Sequence, residues 1–170
     1  YGLDKSVIYL DETGWKISYY VEDARCCDFE NDDEQLNTAM LYLHKLHDID
    51  LNNEVRIFDN IEEGKKLMKI ASLTKGNLEK EFGEEVEKIE QLYKYVKIDA
   101  RKMGKKLVLC HNDVYAPNYL VDKSGKIYLI DWEYAGCNYE ANDIGCILCR
   151  YDWTNDQVER YIEHYLGHVP

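Results

Sequence analysis

His111-Asn112-Asp113-Val114-Tyr115-Ala116-Pro117-Asn118 leads into Tyr119-Leu120-Val121, a turn at Asp122-Lys123-Ser124-Gly125, then Lys126-Ile127-Tyr128-Leu129-Ile130 and Asp131-Trp132-Glu133-Tyr134. β-formers on both sides of an Asp-Lys-Ser-Gly turn predict strand, turn, strand. A hairpin brings the loop before its first strand close to the end of its second. Asp113, Asn118 and Asp131 are therefore expected to converge on one point. A carboxylate that orients a hydroxyl, with an amide and a second carboxylate to hold magnesium, is the constellation that phosphoryl transfer from a nucleotide needs.

The chain has 170 residues, of which 45% are hydrophobic and 32% charged, enough for one domain with a real core. No apolar run reaches the length of a membrane span and no signal-peptide pattern opens the sequence. The first residue is Tyr1, so a fragment or a trimmed chain is expected. A net charge of −12 argues against a nucleic-acid partner, because phosphate contacts need clustered Lys and Arg. It is compatible with a cationic small substrate. The cysteines at 26, 27, 110, 137, 146 and 149, with no secretory signal, predict reduced thiols and a cytoplasmic location. Cys146-Ile147-Leu148-Cys149 reads as two small residues on one helix, since a zinc site needs a second ligand pair at suitable spacing.

Working outward from the motif, Lys106 to Cys110 predicts a short strand and Ala135 to Asn138 a loop. Helices are predicted over Asp143–Arg150 and Asp156–Tyr165. Upstream, Ser6–Leu10 and Trp15–Val21 flank the turn Asp11-Glu12-Thr13-Gly14 as a hairpin, which alone is marginal in water and needs a partner. Asn31-Asp32-Asp33 offers caps for a helix with Leu36, Ala39, Met40, Leu43 and Leu46 at helical spacing. Ile57–Ala71 carries a weaker helical pattern. Glu84–Met103 is the longest predicted helix, with Val86, Ile89, Leu92, Tyr93 and Val96 as its apolar stripe and Gly104 as its stop. Hairpin, helices, small β-motif and helices in that order make a segregated α+β chain.

His111-x-Asp113-x-x-x-x-Asn118, Ile130-Asp131-Trp132-Glu133-Tyr134 and Asn142-Asp143-Ile144-Gly145 together resemble the choline/ethanolamine kinases, relatives of the aminoglycoside phosphotransferases with a protein-kinase-like fold. The Asp-Trp-Glu-Tyr run looks more like the bacterial choline kinases than the antibiotic kinases. The resemblance implies a mainly helical C-terminal lobe with a small catalytic hairpin. It places a remnant of the N-terminal lobe and the hinge at 1–22 and the C-lobe, truncated at its end, at 23–170. It implies ATP and Mg²⁺, with Asp113 as base, Asn118 and Asp131 as metal ligands, His111 as the loop's structural histidine and Asp143 as a brace from a helix start. A plain helix cap is the alternative for Asp143. Backbone groups of Tyr20, Val21 and Glu22 are expected to meet adenine. Glu133, Tyr134, Tyr151 and Trp153 are expected near the substrate, since aromatic faces and a carboxylate hold an ammonium group; ordinary packing is the alternative for these aromatics.

The pattern also departs from the family. The phosphate-covering loop and third-strand lysine of the N-terminal lobe are not visible, and Lys5 and Lys16 stand in the wrong context to replace that lysine. The fragment alone is therefore expected to be inactive. Eukaryotic choline kinases carry a carboxylate near the position of Arg150, where this sequence has a cation. The expected activity is ATP-dependent phosphorylation of a small amino alcohol, foremost choline. Ethanolamine or an aminoglycoside as substrate, and a non-catalytic remnant, stay open.

Overall fold

Asp11 starts the chain's first hairpin: its carboxylate accepts from the backbone N–H of Thr13 at 2.9 Å and of Trp15 at 3.0 Å, and Gly14 takes the positive φ of 92° that the turn needs. This joins β1 (Val7–Leu10) to β2 (Lys16–Ser18). The computed structural model describes residues 4–51, 55–150 and 152–167. A two-residue strand, β3 (Arg25–Cys26), precedes α1 (Asp33–His47), which the Asp32 side chain caps at the Gln35 N–H. α2 (Asn60–Lys75) is capped by Asp59 and α3 (Leu78–Lys102) by Asn77. β4 (Val108–Cys110) then enters the motif loop. A single 3₁₀ turn at Ala116–Asn118 leads to β5 (Tyr119–Val121) and β6 (Ile127–Leu129). β7 (Gly136–Asn138), α4 (Glu140–Leu148) and α5 (Asn155–Leu166) complete the described order.

The motif hairpin forms as the sequence predicts, with Tyr119 opposite Leu129 and Val121 opposite Ile127. β3 adds to its free edge, giving a three-stranded antiparallel sheet. Residues 135–138, expected as loop, include the strand β7, antiparallel to β4 with Cys110 opposite Gly136. Nothing local in Gly-Cys-Asn favours a strand. Its neighbours impose it: besides β4, the Phe58 N–H donates to the Cys137 carbonyl at 2.9 Å and the Cys137 N–H to the Arg56 carbonyl at 2.7 Å.

The core lies between α1, the β5–β6 hairpin, α4 and α5. Leu36, Met40 and Leu43 of α1, Val114 of the loop, Tyr119, Leu129, Ile147 and Tyr161 are fully enclosed. Phe29 meets the Tyr119 ring edge-on at 5.4 Å. α2 and α3 pack on each other beside this core. Lys65 pairs with Glu90 across them, and Lys97 reaches Asp59 at 2.5 Å. The predicted stripe of α3 is real as a pattern but not as a core: Val86 and Tyr93 are half-buried, and Ile89, Leu92 and Val96 are exposed. One partner helix cannot cover a stripe of that width.

Candidate active site

The loop between β4 and the 3₁₀ turn is held from beneath by one buried carboxylate. Asp143, with no exposed surface, accepts the N–H of His111 at 3.0 Å on Oδ2 and of Asn112 at 2.7 Å on Oδ1. It lies one turn inside α4, whose N-cap is Tyr139. The carboxylate thus caps the loop and not its own helix. His47, on α1, adds a hydrogen bond from Nε2 to Asp143 Oδ2 at 3.0 Å, and its Nδ1 meets the Tyr165 hydroxyl at 2.9 Å. The polar atoms of His47, Cys110 and Asp143 lie within 4.8 Å of one another. Each already has a protein partner, the Cys110 thiol donating to the Tyr139 carbonyl at 3.6 Å, so the cluster is a brace and not a metal centre.

Asn112 takes a left-handed conformation, φ 67°, which asparagine tolerates better than most residues. This turn points its side chain inward. Its amide donates to the Tyr134 carbonyl at 3.0 Å, and its Oδ1 accepts from Asn138 and Asn142, each at 3.0 Å. One residue therefore ties the loop to β7, to α4 and to the segment after Asp131. His111 is buried, with Nε2 on the Ile130 carbonyl at 2.8 Å and Nδ1 accepting the Asp113 N–H at 3.3 Å. Both ring nitrogens are engaged by backbone. The Trp132 ring stands edge-on to it at 4.8 Å.

Asp113 and Asn118 are in direct contact. The Asn118 amide donates to the Asp113 carbonyl at 2.8 Å and to its Oδ2 at 3.1 Å. Asp131 is brought alongside by the hairpin, since the Ile130 N–H donates to the Asn118 carbonyl at 2.9 Å. Asp131 is exposed and left-handed, φ 65°. With the Asn118 nitrogen directed at Asp113, its Oδ1 has no hydrogen bond among the described residues, and neither has the Asp131 carboxylate. An amide oxygen and a carboxylate, both without a protein partner among the described residues, are hard ligands of the kind that suit a small divalent cation. Arg150 Nη2 reaches Asp113 Oδ1 at 3.3 Å.

The remaining expected residues sit as follows. Glu133 is exposed, and Arg56 holds its carbonyl at 3.1 Å. Tyr134 is half-buried with its ring edge-on to Phe58 at 5.9 Å. Trp132 donates to the Leu129 carbonyl at 3.0 Å and packs on the core. Trp153 also packs on the core, with Nε1 donating to the Ile147 carbonyl at 3.3 Å. Tyr151 lies outside the described residues. Tyr20 and Glu22 are exposed and Val21 half-buried, in the segment between β2 and β3. Burial pushes the Cys146 thiol up to about 12, with the Asp143 charge adding to it, and raises Cys110 further still. Neither thiol is poised as a nucleophile.

His47, Asn112 and Arg56 are the residues that motif reading passes over. His47 had a signal: it follows Leu43 and Leu46 on the buried face of α1, where a histidine needs polar partners. Arg56 had none, because its partners lie near residue 135 in sequence.

Comparisons with known proteins extend this geometry. Mouse "Ethanolamine kinase 2" is 41% identical over 61 residues, 35% of this chain and 16% of that protein. "Probable ethanolamine kinase" of Arabidopsis thaliana is 31% identical over 140 residues, 73% of this chain and 37% of that protein. The chain thus matches about a sixth of the length of the mouse protein and little more than a third of the Arabidopsis one. The crystal structure of choline kinase LicA from Streptococcus pneumoniae superposes with a TM-score of 0.70 at 23% identity, covering 96% of this chain and 56% of that one. The fold is accordingly α+β and protein-kinase-like. The sequence model for "Choline/ethanolamine kinase" matches residues 23–167, and with most of its length inside that match the chain belongs to the choline/ethanolamine kinase family.

Proposed function

We propose that this chain is the catalytic-loop part of an ATP-dependent phosphotransferase acting on the hydroxyl of a small amino alcohol, choline or ethanolamine. The observation that supports the reading is the contact of Asn118 with Asp113 in a braced loop, with the backbone bond from Ile130 to Asn118 joining the strand end before Asp131 to the same loop. Asp113 orients the acceptor hydroxyl and takes its proton. Asn118 and Asp131 hold Mg²⁺, which when bound neutralises nucleotide phosphate charge. His111 and Asp143 keep the loop in place. Tyr20, Val21 and Glu22 form the adenine-facing segment, within an N-terminal part at 1–22 that precedes the lobe at 23–170.

The acceptor class follows from family membership and the names of the relatives. The aromatic-box argument for choline is weaker than the sequence implies, because Trp132 faces His111 and the core and Tyr134 leans on Phe58. Glu133, exposed just after Asp131, is the carboxylate best placed to meet an ammonium group. The test is phosphoryl transfer from Mg-ATP to choline, ethanolamine and kanamycin by the complete protein of which these residues are part. Turnover with an amino alcohol, lost at least about 10³-fold in Asp113→Asn with unchanged circular dichroism, is expected. Kanamycin as the preferred acceptor, or unaltered turnover in the variant, would overturn the reading.

A further inference from the structure

Asp113 is the centre of the proposed reaction, and both of its carboxylate oxygens are occupied. Oδ2 accepts from Asn118 at 3.1 Å and Oδ1 from Arg150 at 3.3 Å. Arg150 lies just past the C-terminus of α4, and its guanidinium carbon stands 4.9 Å from the centroid of the Tyr115 ring. Tyr115 is two residues beyond Asp113, so the cation rests against an aromatic face and a carboxylate of the same loop. The Arg150 side chain is 53% exposed and that of Asp113 22%. Among the described residues, Arg150 is the one cation in an ion pair with Asp113, and Asp131 has none.

We infer that Arg150 is a catalytic residue that stabilises the transferring phosphoryl group. The inference rests on the phosphotransferase reading above. An acceptor hydroxyl that hydrogen-bonds Asp113 must hold its oxygen roughly 3–3.5 Å from the γ-phosphorus. A cation bonded to that same carboxylate is then a short side-chain rotation from the equatorial phosphoryl oxygens. The guanidinium is planar and forked, which matches two phosphoryl oxygens, and an exposed arginine is free to turn. In the reaction the acceptor oxygen forms its bond to the γ-phosphorus as the bond to the bridging β–γ oxygen breaks. ADP leaves with that electron pair, and the hydroxyl proton passes to Asp113. Arg150 exchanges Asp113 Oδ1 for phosphoryl oxygen as the acceptor arrives, so a single movement frees the base and delivers the charge. The acceptor's own ammonium group is held on the side of Asp113 away from Arg150.

The test uses the complete protein, with Arg150→Ala, Arg150→Gln and Arg150→Lys assayed with Mg-ATP and the preferred amino alcohol. Arg150→Ala is expected to lower kcat by about 10²–10³-fold, the usual loss for one preorganised charge-stabilising group, while the KM values change less than about threefold. Arg150→Lys should recover part of the loss. Guanidinium ion at a non-denaturing concentration should raise the turnover of Arg150→Ala several-fold but not that of Asp113→Asn, against a sodium chloride control. Arg150→Gln keeps the decision open to measurement if the alanine variant does not fold. A kcat in Arg150→Gln equal to or above that of the parent would make the ion pair a mere resting contact and overturn the inference, as would a rise in KM alone. Failure of the parent protein to phosphorylate any acceptor would remove the phosphotransferase reading and this inference with it. Normal parent turnover with an unaffected Arg150→Gln would remove the inference alone.

Discussion

Asp143 and Asp113 stand two hydrogen bonds apart and have opposite duties. Asp143 is wholly buried and has three partners: two backbone N–H groups of the loop and His47. Removing it strands all three in a dry site, which costs about 3–5 kcal/mol for a broken buried pair. In a chain of this size that is roughly a 10 °C fall in Tm. Asp143→Ala should therefore melt far below the parent, whereas Asp113→Asn should melt close to it while losing turnover. Thermal denaturation followed by circular dichroism reads both, and an Asp143→Ala melt within about 2 °C of the parent would refute the brace. In the sequence Asp113 was read from the spacing of its motif, and Asp143 from the family resemblance, with a plain helix cap as the alternative. Their difference in burial was not, because it depends on α1 delivering His47 across 96 residues of chain.

At the scale of elements, the sequence was most readable where local pattern and tertiary role agree. The motif hairpin, α1 and the final helix have strong periodicity and form where the residues predict. β7 is the opposite case. Gly136 has no side chain to announce a strand, yet it must be glycine: a Cβ there would stand 2.9 Å from the Arg56 carbonyl and 3.3 Å from the Phe58 Cβ. The backbone of residues 56–58 lies directly against it, and both sides of that contact are main chain. Gly136→Ala should then push the 56–58 segment away and destabilise the protein by about 1–3 kcal/mol, the range for overpacking a tight site. Because the Asn112 amide also reaches the Gly136 carbonyl at 3.3 Å, the same variant should loosen the loop that carries Asp113. Urea denaturation gives the first effect as a lower midpoint, and kcat the second. A midpoint unchanged in Gly136→Ala would mean that the strand has room that the close contact denies.

The whole molecule exposes 11577 Å² of accessible surface. A compact globular chain of its mass would expose about 8,700 Å². The excess is not spread evenly. In the β1–β2 hairpin, Leu10, Trp15 and Ile17 are exposed, and in the α2–α3 pair so are Ile70, Leu73, Leu92 and Val96, while α1, β5, β6, α4 and α5 enclose the core. The site's loop hangs from that core through Asp143 and His47, so its rigidity is tied to the part that opens last. The α2–α3 pair joins it through Asn60 at the start of α2, with Arg56 in the segment just before. Local openings cost less where apolar burial is sparse. Native-state hydrogen exchange in rising urea should accordingly show two tiers. Amides of α1 from Leu36 to Leu43 should exchange only with global unfolding, and those in the outer half of α3 through smaller openings with little urea dependence. The Cys27 thiol, buried and pushed up to about 12, supplies an independent probe of the first tier. Enclosed and held as the thiol, it should react with a disulfide reagent only as fast as the core opens, while exposed Cys26 and Cys149 react at once. Exchange of α3 at the same rate and urea dependence as α1 would show one cooperative unit, and the loop that carries Asp113 would then owe its rigidity to the whole chain and not to its central core.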